Sequence, residues 1–393
     1  MFFKIIKIKY CSIFIAIHIY MKYGICTLLF GDFTYLIGAC ISFYAHKQFI
    51  DKYKLNIKLI VMVDNKNYEQ KKILELFFDE IIKIEMDTIN INLVEKRNIV
   101  YEKYSPWVKY SINKWKIFNM TNYDKILFID IDVLPIKKEF YNIFNNKVPA
   151  IYGKFKNKNK TYKLNRSLFS NKKSFKCEDY NTEIHLKVWL NATILLIEPN
   201  SKLYDEYMDF IKISEGKLGY KTTFNVDETT LTYFLIFYKK MDVYEINKKY
   251  VGNWSIYNKN TTSMDFATVV KPWVKIPFMQ WSDENIWHVI AKYVMPKSIE
   301  LNAVYIKYML KQLFLYYESY KLNKKKDIYY NMIAMKNDKL FIYLQKIFNI
   351  IENKTIDTLN KDEIKKIFSI AKIIHSKMNN YTKINYNNLK KIL

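Results

Sequence analysis

The sequence predicts an α/β domain followed by a helical C-terminal extension. Short apolar runs that end at acidic residues predict strands buried on both faces, as at Ile57–Val63 and Ile126–Ile129. Segments with apolar residues at helical spacing alternate with these runs, which is typical of parallel strands joined by right-handed crossovers. After about residue 300 only amphipathic helical spacing recurs.

The composition predicts a folded protein with a sizeable core. Half of the 393 residues are hydrophobic and 17% are aromatic, while Gly and Pro are scarce at 7 each. The formal net charge of +25 is compatible with a protein that binds nucleic acid or an anionic membrane surface. However, arginine, the side chain best suited to bidentate contacts with bases, occurs only at Arg97 and Arg166. We therefore expect no specific nucleic-acid partner and attribute the charge to a lysine-rich composition typical of an AT-rich genome.

The N-terminal segment, residues 1–22, is open to two interpretations. Three lysines precede an apolar run from Tyr10 to Met21, as in a short signal segment or anchor. The run is too short to span a bilayer, so we favour a leading strand or an exposed arm. The four cysteines show neither metal-ligand nor disulfide spacing, which favours a reducing compartment. We expect the protein to be cytoplasmic and to make no membrane contact. If residues 1–22 act as a signal anchor, its location is instead the lumen of the secretory pathway.

The predicted domain spans residues 23–298 and begins with alternating strands and helices. A strand over Tyr23–Phe30 leads into a helix from Phe33 to about Ala45, in which Gly38 permits close backbone approach. The strand Ile57–Val63 follows. A further helix is predicted from apolar residues at helical spacing, with a short strand over Ile81–Ile84 directly after it: Ile73, Leu74, Phe77, Phe78 and Ile81.

The middle of the domain contains the best helix start in the sequence. Ser105-Pro106 places a hydroxyl at the N-cap and proline at the first helical position. The helix carries Lys114 and leads into the strand Ile126–Ile129. Its predicted apolar face consists of Val108, Ser111, Ile112, Trp115 and Phe118. Beyond the strand, residues 154–176 are basic and polar, which predicts an exposed loop.

The remainder of the domain again alternates apolar and amphipathic segments. A strand over Val188–Ile197 holds Asn191, a polar side chain that needs hydrogen-bonding partners if it is buried. A helix over Leu203–Ser214, a loop with Asp227-Glu228 and a helix over Leu231–Tyr238 follow. In the extension, residues 299–393, Asn360 and Glu363 form a capping box at a helix start, and a preceding helix is predicted from Leu340, Leu344, Ile347, Phe348 and Ile351.

Asp130 and Asp132 are the first candidate site residues, because they directly follow a buried strand. Side chains at positions i and i+2 of an extended chain point to the same face, so both carboxylates can reach one ion. Hard cations such as Mg²⁺ and Mn²⁺ prefer oxygen ligands. Ligands of open α/β sheets bind at the carboxyl ends of the strands, where this pair is expected.

Five blocks in fixed order carry a resemblance to a known family. They are Tyr35-x-x-Gly38-Ala39, Lys114 with Asp130-x-Asp132, Trp189-Leu190-Asn191-Ala192-Thr193, Asp227-Glu228-x-x-Leu231 and Lys271-Pro272-Trp273. Together they resemble the metal-dependent retaining glycosyltransferases of family 8, the glycogenin-like group, and the glycosyltransferase-like proteins of large insect DNA viruses. The resemblance covers roughly residues 23–290. It implies a GT-A fold, a Rossmann-like mixed sheet flanked by helices that binds a nucleotide sugar.

The resemblance also implies roles for individual residues. Asp130 and Asp132 resemble the aspartates that hold Mn²⁺ (or Mg²⁺) with the ribose-diphosphate of a UDP-sugar. Lys114 resembles a lysine that contacts the donor, and Tyr35 belongs to the nucleotide-binding block. The remaining three are Asn191 and Asp227, which resemble residues lining the donor sugar at its reacting carbon, and Lys271, which resembles the lysine that neutralises the leaving diphosphate. The implied activity is hexose transfer from the UDP-sugar to a carbohydrate or protein acceptor.

Two departures from the family pattern occur near Lys271. Asp265 stands where the family has a histidine that serves as third metal ligand, and Thr268 stands where the family has glycine. Aspartate is a competent ligand for a hard cation, so Asp265 is the expected replacement; in the alternative of a shifted loop, Ser263 or Thr262 takes this position. The alternative function is a catalytically weakened pseudo-glycosyltransferase that acts as a binding scaffold. A basic nucleic-acid or membrane-surface protein is a third hypothesis, and a homodimer is compatible with the sequence.

Overall fold

The computed structural model describes residues 21–89, 108–153, 190–215, 226–252, 260–267, 271–274, 286–323, 338–352, 354–378 and 391–392. Nearly all of the predicted N-terminal leader or arm, the exposed loop over residues 154–176 and the helix start at Ser105-Pro106 lie outside these residues. Among the described helices, none combines the length and the apolar character that a bilayer crossing requires.

A seven-stranded mixed sheet lies at the centre of the fold, with strand order β3-β2-β1-β4-β7-β6-β8. Its strands are β1 (Tyr23–Leu29), β2 (Ile57–Val63), β3 (Glu80–Lys83), β4 (Lys125–Ile129), β6 (Ala150–Gly153), β7 (Leu190–Ile197) and β8 (Tyr244–Glu245). Strands β1 to β4 are parallel, and β7 runs antiparallel to both β4 and β6. A separate two-stranded sheet pairs β5 (Val133–Pro135) with β9 (Ser263–Asp265). The predicted α/β fold with a mixed sheet is therefore confirmed.

Helices cover both faces of the sheet. The α-helices are α1 (Phe33–Tyr53), α2 (Asn65–Tyr68), α3 (Lys71–Leu74), α4 (Ser201–Glu215), α5 (Val226–Thr232), α6 (Ile286–Val294), α7 (Ile299–Asn323), α8 (Asp338–Ile351) and α9 (Lys361–Met378). The 3₁₀ helices are Ser111–Asn119, Lys138–Asn145, Pro272–Val274, Met295–Lys297 and Ile356–Thr358, and a π-helix spans Tyr233–Tyr238.

Alternation along the central strands divides their side chains between two cores. In β4, Leu127 and Ile129 join the core on the α1 side, while Ile126 and Phe128 join the core on the opposite side. Successive side chains of a strand point to opposite faces, so a strand covered on both faces must be apolar at every position. This arrangement explains the continuous apolar runs from which the strands were predicted.

Helix α1 extends well beyond its predicted end near Ala45. The Asp32 carboxylate caps its start by accepting from the Thr34 amide, and Lys54, in the left-handed conformation (φ 50°), ends it. The last turns bury His46, Phe49 and Ile50, whereas the prediction placed the end at the last small apolar residue. The core, rather than local sequence, therefore determines the helix length.

The predicted helix through Ile73 and Ile81 is wrong. Two single-turn helices, α2 and α3, stand there, and Ile81 belongs to strand β3. The Asp64 carboxylate accepts from the Asn67 amide and ends the extended segment, while Asp79 accepts from the Leu59 amide of β2. The bond between Asp79 and Leu59 holds the chain at the sheet directly before β3, so no longer helix forms here.

The segment that carries Lys114 is a 3₁₀ helix over Ser111–Asn119, not the predicted α-helix. The Ser111 hydroxyl donates to the carbonyl of Val108, and the Asn113 amide donates to the carbonyls of Tyr110 and Asp87. Such side-chain bonds to nearby backbone groups compete with the α-helical pattern. The predicted apolar side is nevertheless buried, as Trp115 and Phe118 show.

Asp227 and Glu228 lie in the first turn of α5, not in the predicted loop. Acidic side chains favour the first turn because the amino end of a helix carries partial positive charge. The predicted helix over Leu231–Tyr238 continues α5 as a π-helix from Tyr233. The predictions of strand β7 and helix α4 are confirmed within two residues.

The C-terminal extension packs on the rest of the fold through α7. Its side chains Leu301, Met309 and Leu313 belong to the same core as α1 and α6. Tyr305 of α7 also forms a hydrogen bond with His288 Nδ1 of α6. The predicted capping box of α9 is confirmed, because the Asn360 side chain accepts from the Glu363 amide and the Glu363 carboxylate accepts from the Asn360 amide. The boundary at residue 298 stays a prediction, although no break in the core accompanies it.

Buried His46 makes the stability of this fold depend on pH. Burial lowers the pKa of His46 from the ordinary 6.5 to about 3. Between pH 6.5 and pH 3, His46 is therefore protonated in the unfolded chain but neutral in the folded chain. The free energy of unfolding thus has its full value above pH 6.5 and falls as the pH drops towards 3. The slope from this residue is about 1.4 kcal/mol per pH unit.

We expect His46→Gln to flatten this dependence, because glutamine does not titrate and can still bond to the Tyr141 hydroxyl, 3.1 Å from His46 Nδ1. Urea unfolding of both proteins between pH 7 and 4 measures the difference in slope. Equal slopes would show that the His46 proton does not contribute.

Candidate active site

The site lies at the carboxyl end of β4, on a turn rather than on the predicted extended segment. The Asp130 amide donates to the carbonyl of Thr193 in β7 at 3.0 Å, and the Val133 amide donates to the Asp130 carbonyl at 3.0 Å. The second bond closes a four-residue β-turn. Asp130 and Asp132 are therefore brought together by a turn, and the expectation of an extended chain at this position is wrong.

Lys114 joins two of the predicted site carboxylates. Its Nζ lies 2.9 Å from Asp130 Oδ1 and 2.8 Å from Asp227 Oδ2. The side chain of Asp227 is only 8% exposed, so this carboxylate depends on the ammonium for its charge balance. The contact connects the 3₁₀ helix, the end of β4 and the first turn of α5.

Lys271 forms a second ion pair at the same edge of the sheet. Its Nζ lies 2.5 Å from Asp132 Oδ2, and the Asp132 side chain is 9% exposed. The residue precedes the 3₁₀ turn Pro272–Val274. Two lysines thus neutralise the two carboxylates of one turn.

The charges of the site influence one another. Burial raises the pKa of Asp130 to about 6, and the negative charges of Asp132 and Asp227 act in the same direction, while Lys114 opposes the rise. Burial disfavours the charge of Lys114, but Asp130 and Asp227 outweigh that effect and raise the pKa of the ammonium above its ordinary value. Lys114 is therefore held in its charged form.

Asp227 is fixed from its backbone as well as from its carboxylate. The indole Nε1 of Trp115 donates to the Asp227 carbonyl at 3.2 Å, and the Thr230 hydroxyl donates to the same oxygen at 3.3 Å. This role of Trp115 was not predicted from the sequence, in which the residue stands only on the apolar face of its helix. The signal in the sequence was that Trp115 directly follows Lys114. One short helix therefore carries both the indole that binds the Asp227 carbonyl and the ammonium that binds its carboxylate.

Asp265 lies close to the Asp130–Asp132 turn but on a different strand pair. It pairs with Val133 across β5 and β9, and the adjacent Phe266 amide donates to the Asp132 carbonyl. Opposed residues of an antiparallel pair share a face, which places the Asp265 side chain with that of Val133. Within the described ranges, no three or more His, Cys, Asp or Glu side chains are grouped so that they could hold a metal ion. The role of Asp265 as third ligand stays a prediction.

The remaining predicted site residues are less closely placed. Tyr35 lies in the first turn of α1, and its ring meets the edge of the Trp273 ring at 6.4 Å between centroids. Asn191 lies in β7 opposite Tyr152, and its side chain is outside the described part of the structure. Trp273 and Trp287 are fully buried, so these two rings belong to the core.

Comparison with curated proteins confirms the resemblance to glycogenin-like proteins. The chain is 28% identical over 131 residues to glycogenin-2 of Saccharomyces cerevisiae (strain YJM789), in an alignment covering 31% of this chain and 34% of the relative. It is 25% identical over 129 residues to the uncharacterized protein R707 of Acanthamoeba polyphaga mimivirus, covering 33% and 42%. A viral protein is thus among the proteins that this chain resembles. The aligned part spans about a third of the yeast relative, and no family model matches the chain.

Solved structures with a similar arrangement include two glycosyltransferases. One is the galactosyltransferase LgtC, in complex with donor and acceptor sugar analogues, with a TM-score of 0.43 at 12% identity. The superposition covers 69% of this chain and 95% of LgtC. The glycosyltransferase GlyE of Streptococcus pneumoniae TIGR4 has a TM-score of 0.40 at 13% identity, with 70% of this chain and 63% of that one covered. At these TM-scores and identities, neither structure assigns a property to this chain.

The bridge formed by Lys114 predicts a large loss of stability in Lys114→Met. The substitution leaves Asp227 buried without its ammonium, and breaking a buried pair from one side is strongly destabilising. We expect a loss of roughly 2–3 kcal/mol, below the range for fully buried pairs because Asp130 is 30% exposed.

Lys71→Met is the matched control, because Lys71 pairs with Glu75 on an exposed helix surface. Its expected effect is within about 0.5 kcal/mol. Urea unfolding at neutral pH measures both variants. Similar losses in the two would mean that the bridge does not stabilise the fold.

Proposed function

We propose that this chain is a metal-dependent glycosyltransferase that moves a hexose from a UDP-sugar to a carbohydrate or protein acceptor with retention of configuration. The observation that carries the proposal is the pairing of two lysines with three carboxylates at the carboxyl edge of the sheet: Lys114 with Asp130 and Asp227, and Lys271 with Asp132. The sequence similarity to glycogenin-2 supports the same reaction class.

The paired charges suit a ligand that carries both signs. A divalent cation accompanied by a diphosphate can enter such a site by exchange of partners, because the carboxylates can turn to the cation and the ammonium groups to the phosphates. The exchange conserves the number of ion pairs, which limits the cost of removing charge from water. A purely cationic or purely anionic ligand would leave one set of charges unpaired.

Asp130 and Asp132 fit the cation of this ligand. They supply two carboxylates within one turn, and the burial that raises the pKa of Asp130, together with the negative charges of Asp132 and Asp227, favours a bound cation. We assign the binding of Mn²⁺ or Mg²⁺ to this pair, with Asp265 as an expected third ligand and phosphate oxygens of the donor as further ligands. The bound cation would withdraw electron density from the diphosphate and make it a better leaving group.

Lys271 and Lys114 have separate tasks in this proposal. With Asp132 holding the cation, Lys271 would neutralise the diphosphate as negative charge develops on it. Lys114 keeps one contact, to Asp227, and thereby holds that carboxylate in place. Tyr35 would contact the nucleotide, and Asn191 the donor sugar.

Asp227 would lie beside the reacting carbon of the sugar. Its carboxylate could stabilise the positive charge that develops there while the acceptor attacks from the face that the diphosphate leaves. A covalent intermediate on Asp227 is the other route to retention. We favour the first, because the cation and Lys271 already assist the leaving group and Lys114 reduces the nucleophilicity of the paired carboxylate.

A donor screen tests the proposed activity. UDP release is measured from UDP-glucose, UDP-galactose, UDP-xylose and UDP-N-acetylglucosamine, with and without Mn²⁺. Release from at least one donor that depends on Mn²⁺ is expected. Binding of UDP without release from any donor would instead favour the pseudo-glycosyltransferase, which binds the nucleotide but does not react.

Asp132→Ala is expected to abolish Mn²⁺-dependent UDP binding. The side chain is lost from a turn rather than from the apolar core, so the far-ultraviolet circular dichroism should stay close to that of the wild type. Titration calorimetry with UDP and Mn²⁺ measures the binding. Asp209→Asn, on an exposed part of α4, is the control and should bind normally. Unchanged affinity in Asp132→Ala would remove Asp132 from the proposed site.

Asp227→Asn is expected to lower turnover by roughly two or more powers of ten, the scale of losing one well-aimed electrostatic contact. Donor affinity should change little, since the lost charge acts on the reacting carbon. Single-turnover kinetics measure the rate, and NMR of the product from an α-linked donor gives its configuration. A β-linked product, or full activity in Asp227→Asn, would contradict the proposed mechanism.

A further inference from the structure

Gly38 of α1 is in close contact with the ring of Trp273. A Cβ atom placed on Gly38 would lie 2.5 Å from Trp273 Cε2 and Cζ2 and 2.7 Å from Cη2. Carbon atoms of neighbouring side chains do not approach so closely. A glycine inside a helix destabilises it relative to alanine, so this position has a cost that the contact with Trp273 explains.

Trp273 is held on several sides. It is fully buried. The centroid of its ring lies 4.9 Å from that of Trp287 and 6.4 Å from that of Tyr35. The 3₁₀ turn that carries it, Pro272–Val274, packs against α1, α6 and α7. A methyl group at residue 38 therefore could not be accommodated by rotation of the ring alone, and the turn itself would have to shift.

The backbone between Trp273 and Lys271 is stiff. Proline fixes φ at residue 272, and the residue before a proline is restricted to extended conformations, so both ends of the Lys271-Pro272 unit are constrained. A shift of Trp273 is thus transmitted to Lys271, whose Nζ contacts Asp132 at 2.5 Å. Close approach at Gly38 was predicted from the sequence, and Trp273 is the group that approaches.

We propose that Gly38 and Trp273 are positioning residues for Lys271: the space left by Gly38 admits the Trp273 ring, and the ring fixes the ammonium beside Asp132. The inference rests on the proposed function, in which Lys271 binds the diphosphate. It adds that helix α1 determines the placement of that ammonium without contacting the phosphate. Small displacements of a charged group are costly in a site that depends on orientation.

The test combines two substitutions in the full-length chain. Affinities for UDP in Mn²⁺ are measured by calorimetry for wild type, Gly38→Ala, Lys271→Met and the double variant. If Gly38 acts through Lys271, Gly38→Ala lowers the affinity about tenfold alone and less than twofold in the Lys271→Met background, because coupled residues are not additive. An equal loss in both backgrounds, or no loss in either, would overturn the proposal.

Ala45→Val is the control for overpacking, since it enlarges another fully buried residue of α1, two turns further along the helix. It should lower thermal stability without changing UDP affinity; a loss of affinity equal to that in Gly38→Ala would mean that helix packing in general, rather than the Trp273 contact, controls the site. Gly38→Ala combined with Trp273→Phe should regain affinity, because the smaller ring makes room for the methyl group.

If Gly38→Ala does not fold, Trp273→Phe replaces it in the same four-protein comparison. The smaller ring frees the turn, so affinity should fall in the wild-type background and not in Lys271→Met. Absence of UDP binding by the wild type would refute the proposed function, and this inference with it. Normal wild-type binding with additive losses would refute this inference alone.

Discussion

The contact of one lysine with two carboxylates organises the site of this protein. Lys114 lies within hydrogen-bonding distance of Asp130 and Asp227, which belong to the end of β4 and the start of α5. Its ammonium balances two partly desolvated negative charges, so its removal would leave each without a partner. Hydrogen bonds to the backbone keep this geometry: the Trp115 indole donates to the Asp227 carbonyl, and the Asp130 amide donates to the Thr193 carbonyl. The fold therefore holds the carboxylates in position before any ligand arrives.

Both cores of the molecule support this edge of the sheet, but they support different charges. The core opposite α1 contains Trp115 and Phe128, and it fixes the 3₁₀ helix that bears Lys114. The core on the α1 side contains Trp273 and Trp287, and it fixes the turn that follows Lys271. The segments that carry the two lysines are thus anchored in different cores. A ligand that binds between them would contact residues supported by both cores.

The C-terminal extension contributes to this arrangement although the sequence assigned it no chemistry. Helix α7 packs against the 3₁₀ turn of Trp273, and the Tyr308 hydroxyl donates to Asp32 at 3.2 Å, at the start of α1. It therefore contacts both segments whose separation determines how Trp273 fits against Gly38. Amphipathic spacing shows only that a helix has a buried side, so the sequence could not identify the partner of that side.

The sequence by itself determined the α/β class, the capping box of α9 and five strands of the central sheet, β1 to β4 and β7, but not the short strands β6 and β8. These features depend on local patterns: apolar runs of strand length, helical spacing, and an Asn and a Glu three residues apart. It also identified Lys114, Asp130, Asp132, Asp227 and Lys271 as candidates. Only the tertiary structure decided that Lys114 pairs with Asp227, that Asp265 lies opposite Val133 in the β5–β9 pair, and that Trp273 packs against Gly38. Those relations join distant segments, and hydrophobic periodicity carries no information on which distant charges meet, because burial in a shared core brings them together.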